Sequence, residues 1–167
     1  MEYKALSEDA QVIGEGILTF INAFGQRDLA MKILSKHGID EVQNGKWYPQ
    51  QNYLNAMKEL EQLIGALMLT KIGTKAVVTV QLEQAGNIFD FFSKVGASYN
   101  INHKGDTQSY YKIIEKGDDY FILETNNPYP DSFDRGLYEG FARQFHPSAK
   151  VSTIDKGLEK RQYKIRW

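Results

Sequence analysis

Histidine is where chemistry at neutral pH is sought first, and this chain has three: His37, His103 and His146. They are widely dispersed and have no acidic residues at metal-ligand spacings, so they form no metal motif. His37 falls in the last turn of a predicted helix before Gly38, and His146 follows the last helix. A cation at either place complements a helix macrodipole. His103, between Asn102 and Lys104, reads as a solvated loop residue. Of the paired carboxylates, Asp118-Asp119 belong to a hairpin connection, and Asp131 with Asp134 face the first turn of a helix, where capping explains them. Glu124 beside Thr125 is a single carboxylate and makes no mechanism. The chain has no Gly-x-Ser-x-Gly, no phosphate loop ending in Lys-Ser or Lys-Thr, and no Gly-x-Gly-x-x-Gly after a strand; Gly14-Glu15-Gly16 is a fragment inside a predicted helix. With no cysteine, a disulfide framework, a thiolate zinc site, an iron–sulfur cluster and a cysteine nucleophile are all excluded. No catalytic residue and no metal ligand is assigned.

What remains is aromatic. Ten tyrosines, nine phenylalanines and two tryptophans concentrate in Phe89 to Tyr99, Tyr110-Tyr111, Tyr120-Phe121 and Tyr129 to Phe145. They fill an interface between sheet and helices, or they line an apolar pocket in which tyrosine hydroxyls supply the polar points. Composition leaves both readings open.

The elements that must position these residues divide into two unlike halves. Ile13, Ile17, Phe20, Ile21 and Phe24 form one helical stripe, with a start at Ser7 to Asp9 and a stop at Gly25. A shorter helix covers Arg27 to His37, with Gly38 as its left-handed cap. After a turn at Gln43 to Lys46, Pro49 opens a helix on which Tyr53, Met57, Leu60, Ile64 and Leu67 recur at fours and threes. Ala76 to Leu82 is assigned helix from its position, against its β propensity. Asn87 caps a helix carrying Ile88, Phe89, Phe92 and Val95 and ending at Gly96. The period then changes to two: Tyr110 to Glu115 and Tyr120 to Thr125 pair as antiparallel strands. A helix runs from Asp131 to Phe145 with Phe133, Leu137, Phe141 and Phe145 in one stripe. Gly136 and Gly140 beside them allow another element to approach closely. Lys150 to Ile154 and Gln162 to Trp167 supply two more strands. The class is α+β: a helical N-terminal half, then a four-stranded antiparallel sheet in the order ββαββ, packed against helices.

A chain of 167 residues, 42% apolar and 25% charged, fits a single globular domain over 1–167, its helical half about 7–96 and its ββαββ half about 108–167. Its 20 basic and 21 acidic residues remove the electrostatic footprint of a nucleic-acid binder. The mixed polar start Met1-Glu2-Tyr3-Lys4 and the absence of a long uncharged apolar run give the expectation of a cytoplasmic chain without signal peptide or membrane span.

A helical half followed by ββαββ, with a proline-containing loop leading into a glycine-containing helix, resembles the superfamily shared by stand-alone 4-vinyl reductase domains, haem nitric-oxide/oxygen-binding (H-NOX) domains and TRAPP transport-complex subunits. The segment Asn127-Pro128-Tyr129-Pro130 through Phe133-Asp134-Arg135-Gly136-Leu137-Tyr138-Glu139-Gly140 carries the resemblance most specifically, on its 4-vinyl reductase branch. The resemblance implies a cavity between helices and sheet that receives haem, an acyl chain or an aromatic effector. The haem branch carries a proximal histidine on the helix before the sheet and a Tyr-x-Ser-x-Arg clamp for the propionates. No Tyr-x-Ser-x-Arg occurs here, and the histidine's place falls near Tyr99, one turn before His103. Neither haem nor zinc is therefore expected as a cofactor.

The leading expectation is a non-catalytic small-molecule-binding or sensory module that passes its signal to a separate protein partner. Its pocket, where pre-sheet helix, first strand and loop–helix motif converge in the resembling fold, is expected to take a small hydrophobic or aromatic ligand on Phe92, Tyr99, Tyr110, Tyr129, Leu137, Tyr138 and Phe141. Period two forbids Tyr110 and Tyr111 from both facing inward, and Tyr110 is chosen. The alternatives are a homodimeric scaffold with a vestigial cavity and a haem- or tetrapyrrole-binding protein.

Overall fold

A computed structural model describes residues 3–77, 86–157 and 159–167. The fold is α+β, as the change of period predicts. Its helical half contains α1 (Gly14–Phe24), α2 (Arg27–Lys36), α3 (Gln50–Ile64) and α4 (Ala66–Ala76), followed by α5 (Ile88–Ser93) and α6 (Val95–Asn102). Ile17, Phe20 and Ile21 form the buried stripe of α1, and Gly25 ends it in the left-handed conformation, returning its N–H to the Ile21 carbonyl.

The expected helix start at Ser7 is replaced by a strand. Gln11–Ile13 forms β1, the centre of a three-stranded antiparallel sheet flanked by β2 (Trp47–Pro49) and β3 (His103–Lys104). Strands of two and three residues are too short to leave a period in the sequence, and only partners distant in the chain create them. Pro49 consequently caps α3 instead of opening it. The apolar repeat through Leu67 is broken at Gly65 (φ 82°), and Leu67 beyond it is exposed. Asn87 caps α5 as expected, its side chain accepting the Asp90 N–H. Gly96 does not terminate the helical region, because α6 continues past it to Asn102. Of the segment from Ala76 to Leu82, Ala76 closes α4, and residues 78–82 lie outside the described part.

The second sheet has the order β4–β5–β7–β6, built from β4 (Tyr111–Lys116), β5 (Tyr120–Thr125), β6 (Lys150–Lys156) and β7 (Arg161–Arg166), all antiparallel. Alternation places Phe121, Leu123 and Thr125 inward on β5, and Arg161, Tyr163 and Ile165 inward on β7. Helix α7 (Asp131–Phe145) packs against both β6 and α4. Its Phe133 lies in an apolar cluster formed by the helical half, and its Phe141 in a second cluster formed with the sheet and α5.

Close approach of α4 and α7 depends on glycine from both. A Cβ at Gly73 would meet the Phe133 carbonyl, and one at Gly140 would stand 2.7 Å from the Thr74 carbonyl oxygen and 2.8 Å from Val77 Cγ2. Gly140→Leu should therefore lose about 1–3 kcal/mol despite its better helix propensity. An unchanged or raised Tm would contradict this packing.

Candidate functional site

Between the two apolar clusters lies a cavity of about 390 Å³. Its walls come from both halves: Phe20 of α1 and Tyr53 of α3 on one side, Tyr111 of β4 and Leu137, Tyr138 and Phe141 of α7 on the other. Val12, Phe91, Val95, Tyr99, His103, Tyr129, Phe133 and Asp134 complete the interior. Glu15 and Ser98, both exposed, stand with Thr19 and Asn102 between α1 and α6. Among the described residues no lysine or arginine lines it.

His103 is the residue that sequence reasoning misplaced. It is not a solvated loop residue; it ends α6, forms β3 opposite Val12 and lines the cavity. Its ring stacks on Tyr99 with centroids 3.8 Å apart and planes within 8°. Nδ1 lies 2.9 Å from the Tyr99 backbone carbonyl, one helical turn back. A carbonyl can only accept, so Nδ1 carries the proton and Nε2 presents its lone pair, to which the Tyr129 hydroxyl donates at 2.6 Å. Burial pushes the imidazole pKa down to about 4, which keeps it neutral at pH 7. The clue in the sequence was the Tyr99–His103 spacing of four, hidden by ending the helix at Gly96.

Tyr99 is itself anchored. Its hydroxyl donates to Asp106 Oδ2 at 2.7 Å and accepts from Gln50 Nε2 at 2.9 Å. Burial acts to raise the Asp106 pKa, but hydrogen bonds from Ser109, Tyr99 and two backbone N–H groups outweigh it and hold the carboxyl below its ordinary value. Burial raises the phenols of Tyr53, Tyr111, Tyr129 and Tyr138, so they stay protonated as donors.

The loop before α7 rests on a buried ion pair. Arg161 Nη2 lies 3.1 Å from Asp134 Oδ2, and its guanidinium donates to the carbonyls of Tyr129 and Asn127 at 2.6 Å each. Asn127 Nδ2 also donates to Asp134 at 2.9 Å. The expected capping role of Asp131 and Asp134 gives way to these partners: Pro130 holds the N-cap position without a side-chain bond, and Asp131 accepts from Thr153 Oγ1. Of the other histidines, His37 is the C-cap of α2 and meets Glu59 at 2.9 Å; His146 follows α7 and stacks on Trp167.

Tyr99, Tyr129, Leu137, Tyr138 and Phe141, all expected at the pocket, line the cavity together. Phe92 does not: it packs behind, against Phe121 and Tyr138, and its neighbour Phe91 takes the wall. Tyr110 precedes β4 and is exposed, with its hydroxyl on Glu124; Tyr111 is the residue that faces inward. Strand phase decides this pair, and the two tyrosines are indistinguishable by type. Polar wall residues that sequence reasoning missed include Tyr53, His103 and Asp134, with Glu15, Thr19, Ser98 and Asn102 between α1 and α6. Among the described residues no group of three or more His, Asp or Glu is placed to hold a metal ion, and no helix is long and apolar enough to cross a membrane.

No protein-family model matches the chain, and no curated protein matches it in sequence. Solved structures do match its fold, and H-NOX domains are among them. One is an oxygen-binding H-NOX domain related to soluble guanylate cyclases, in its oxygen complex, with 17% identity and a TM-score of 0.63 over 92% of this chain and 90% of that one. A second, an unliganded Fe(II) H-NOX mutant from K. algicida, has 12% identity and a TM-score of 0.70 over 92% and 95%. A third, from work on haem distortion in the H-NOX family, has 14% identity and a TM-score of 0.70 over 92% of each. The fold of this chain is that of H-NOX domains. The expectation against haem does not stand. The solved structures sharing the fold include domains studied for their haem, and the histidine judged misplaced lines the cavity.

Proposed function

We propose that this chain is a small-molecule sensory domain that holds haem in the cavity between its two halves, with His103 as the axial ligand. The observation that carries the reading is His103 itself: a half-buried, neutral imidazole of the cavity wall whose Nδ1 is fixed by the Tyr99 carbonyl and whose Nε2 accepts from the Tyr129 hydroxyl. Axial haem ligation uses such a group, and a hydrogen bond at the far nitrogen orients it and raises its basicity. Among the described residues the lining holds no lysine or arginine, so neutral groups such as the hydroxyls of Tyr111 and Ser98 would have to meet the haem carboxylates. When bound, haem supplies an iron able to take a small gas molecule. The aromatic and aliphatic walls exclude water, and Tyr99, held by Asp106 and Gln50, keeps the imidazole plane in place. The resemblance of the 127–140 segment to 4-vinyl reductase members agrees with a sensing module that acts on a separate protein partner.

Expression with haem supply should yield a Soret band at one haem per chain. His103→Gly should lose it, and added imidazole should restore it. Native mass spectrometry of the same preparations reads what the cavity carries, and a wild-type chain that takes up no haem overturns the reading. One observation favours a second ligand class: among the described residues no lysine or arginine lines the cavity, which suits an uncharged aromatic or hydrophobic molecule met by the tyrosines Tyr99, Tyr129 and Tyr138 and packed on Leu137 and Phe141. An organic adduct in place of haem would support it.

A further inference from the structure

His103 has a single lone pair to offer. With the Nδ1 proton committed to the Tyr99 carbonyl, only Nε2 can accept a hydrogen bond or bind a Lewis acid, and the Tyr129 hydroxyl already donates to it at 2.6 Å. Tyr129 is also held firmly. Its ring packs edge-on to Tyr53 and against Phe133, its N–H donates to Asn127 Oδ1 at 2.9 Å, and its carbonyl accepts from Arg161 at 2.6 Å. The phenol is therefore delivered to Nε2 by a rigid loop.

We propose that Tyr129 is a specificity-determining cap on His103, whose hydroxyl occupies Nε2 until a ligand that bonds this nitrogen more strongly displaces it. The ligand chemistry comes from the function proposed above, whereas the cap rests on the geometry of the protein alone. A group that gains no more from Nε2 than one hydrogen bond merely exchanges for the phenol and achieves nothing net. A Lewis-acidic metal centre in a planar chelate gains more. Displacing the hydroxyl costs the protein the hydrogen bond it makes to Nε2. The cap thus narrows what the cavity retains to ligands that coordinate the imidazole, and leaves the remaining wall to shape and burial.

Tyr129→Phe keeps the ring and removes the donor. Two measurements on wild type and variant test the proposal: nitrogen NMR of the His103 imidazole without ligand, and equilibrium haem titration. The Nε2 resonance should move toward that of a free pyridine-type nitrogen in the variant, and haem should bind about three- to tenfold more tightly, the weight of one net hydrogen bond. An unmoved resonance overturns the cap. Where both proteins bind haem, an unchanged affinity overturns it too, and so does a weakened one, which would make the phenol a ligand contact. If the resonance moves and neither protein takes up haem, the haem reading falls and the cap stands. Should the variant fail to fold, wild type decides alone: an Nε2 resonance at the free value without ligand overturns the proposal.

Discussion

Gly136→Leu is expected to destabilise the protein by about 3 kcal/mol or more, at the upper end of overpacking costs. A Cβ at Gly136 would collide with the Thr70 carbonyl of α4, a backbone atom that no rotamer change can move aside. Gly73 faces the same crossing from α4, so the two helices meet along glycine from both sides. The larger side chain must push α4 away from α7, separating Ala76 of α4 from Leu137 and Tyr138 of α7, which line the cavity together. Denaturant unfolding measures the loss, and a midpoint equal to wild type would show that the helices do not pack as described. The cost arises despite a gain of about 1 kcal/mol in intrinsic helix propensity when glycine is replaced.

The second large effect belongs to Arg161. Arg161→Met should cost about 3–5 kcal/mol, because breaking a buried pair leaves its partner charge uncompensated. The side chains of Arg161 and Asp134 are 7% and 3% exposed, so water cannot replace the guanidinium. The carbonyls of Asn127 and Tyr129 lose their donor in the same step. Asp134→Asn in the Arg161→Met background should recover part of the stability, since a neutral amide costs less to bury than a carboxylate. A loss below about 1 kcal/mol for the single variant would place this pair among solvent-screened ion pairs. The loop from Asn127 to Pro130 should loosen as well, visible as faster amide exchange at Tyr129.

Much of the fold was legible because long elements carry their own period. The helix from Asp131 to about Phe145 was readable from its apolar stripe at fourfold spacing, and the hairpin at Lys116 to Asp119 from the strands on either side. The glycines at 136 and 140 announced a close contact, though not that α4 makes it. The site was less legible. Five expected wall residues do gather around one cavity, but Tyr110 was preferred to Tyr111 and Phe92 to Phe91. Each of these adjacent pairs has one chemistry and two directions, and only the phase of the element separates them.

By itself the sequence determined the class of fold, the order of its elements in the second half, the absence of any thiol chemistry and the aromatic stock of the cavity. These are properties of local spacing and composition, and they survive any arrangement of the parts. Tertiary structure decided that Gln11–Ile13 is a strand, that Asp134 is an ion-pair partner instead of a cap, and that His103 faces the cavity. Each of those outcomes depends on a partner far along the chain: Trp47 to Pro49 for the strand, Arg161 for the aspartate, Tyr129 for the imidazole. An ionisable or hydrogen-bonding group takes its role from what surrounds it, and no window of the sequence contains those surroundings.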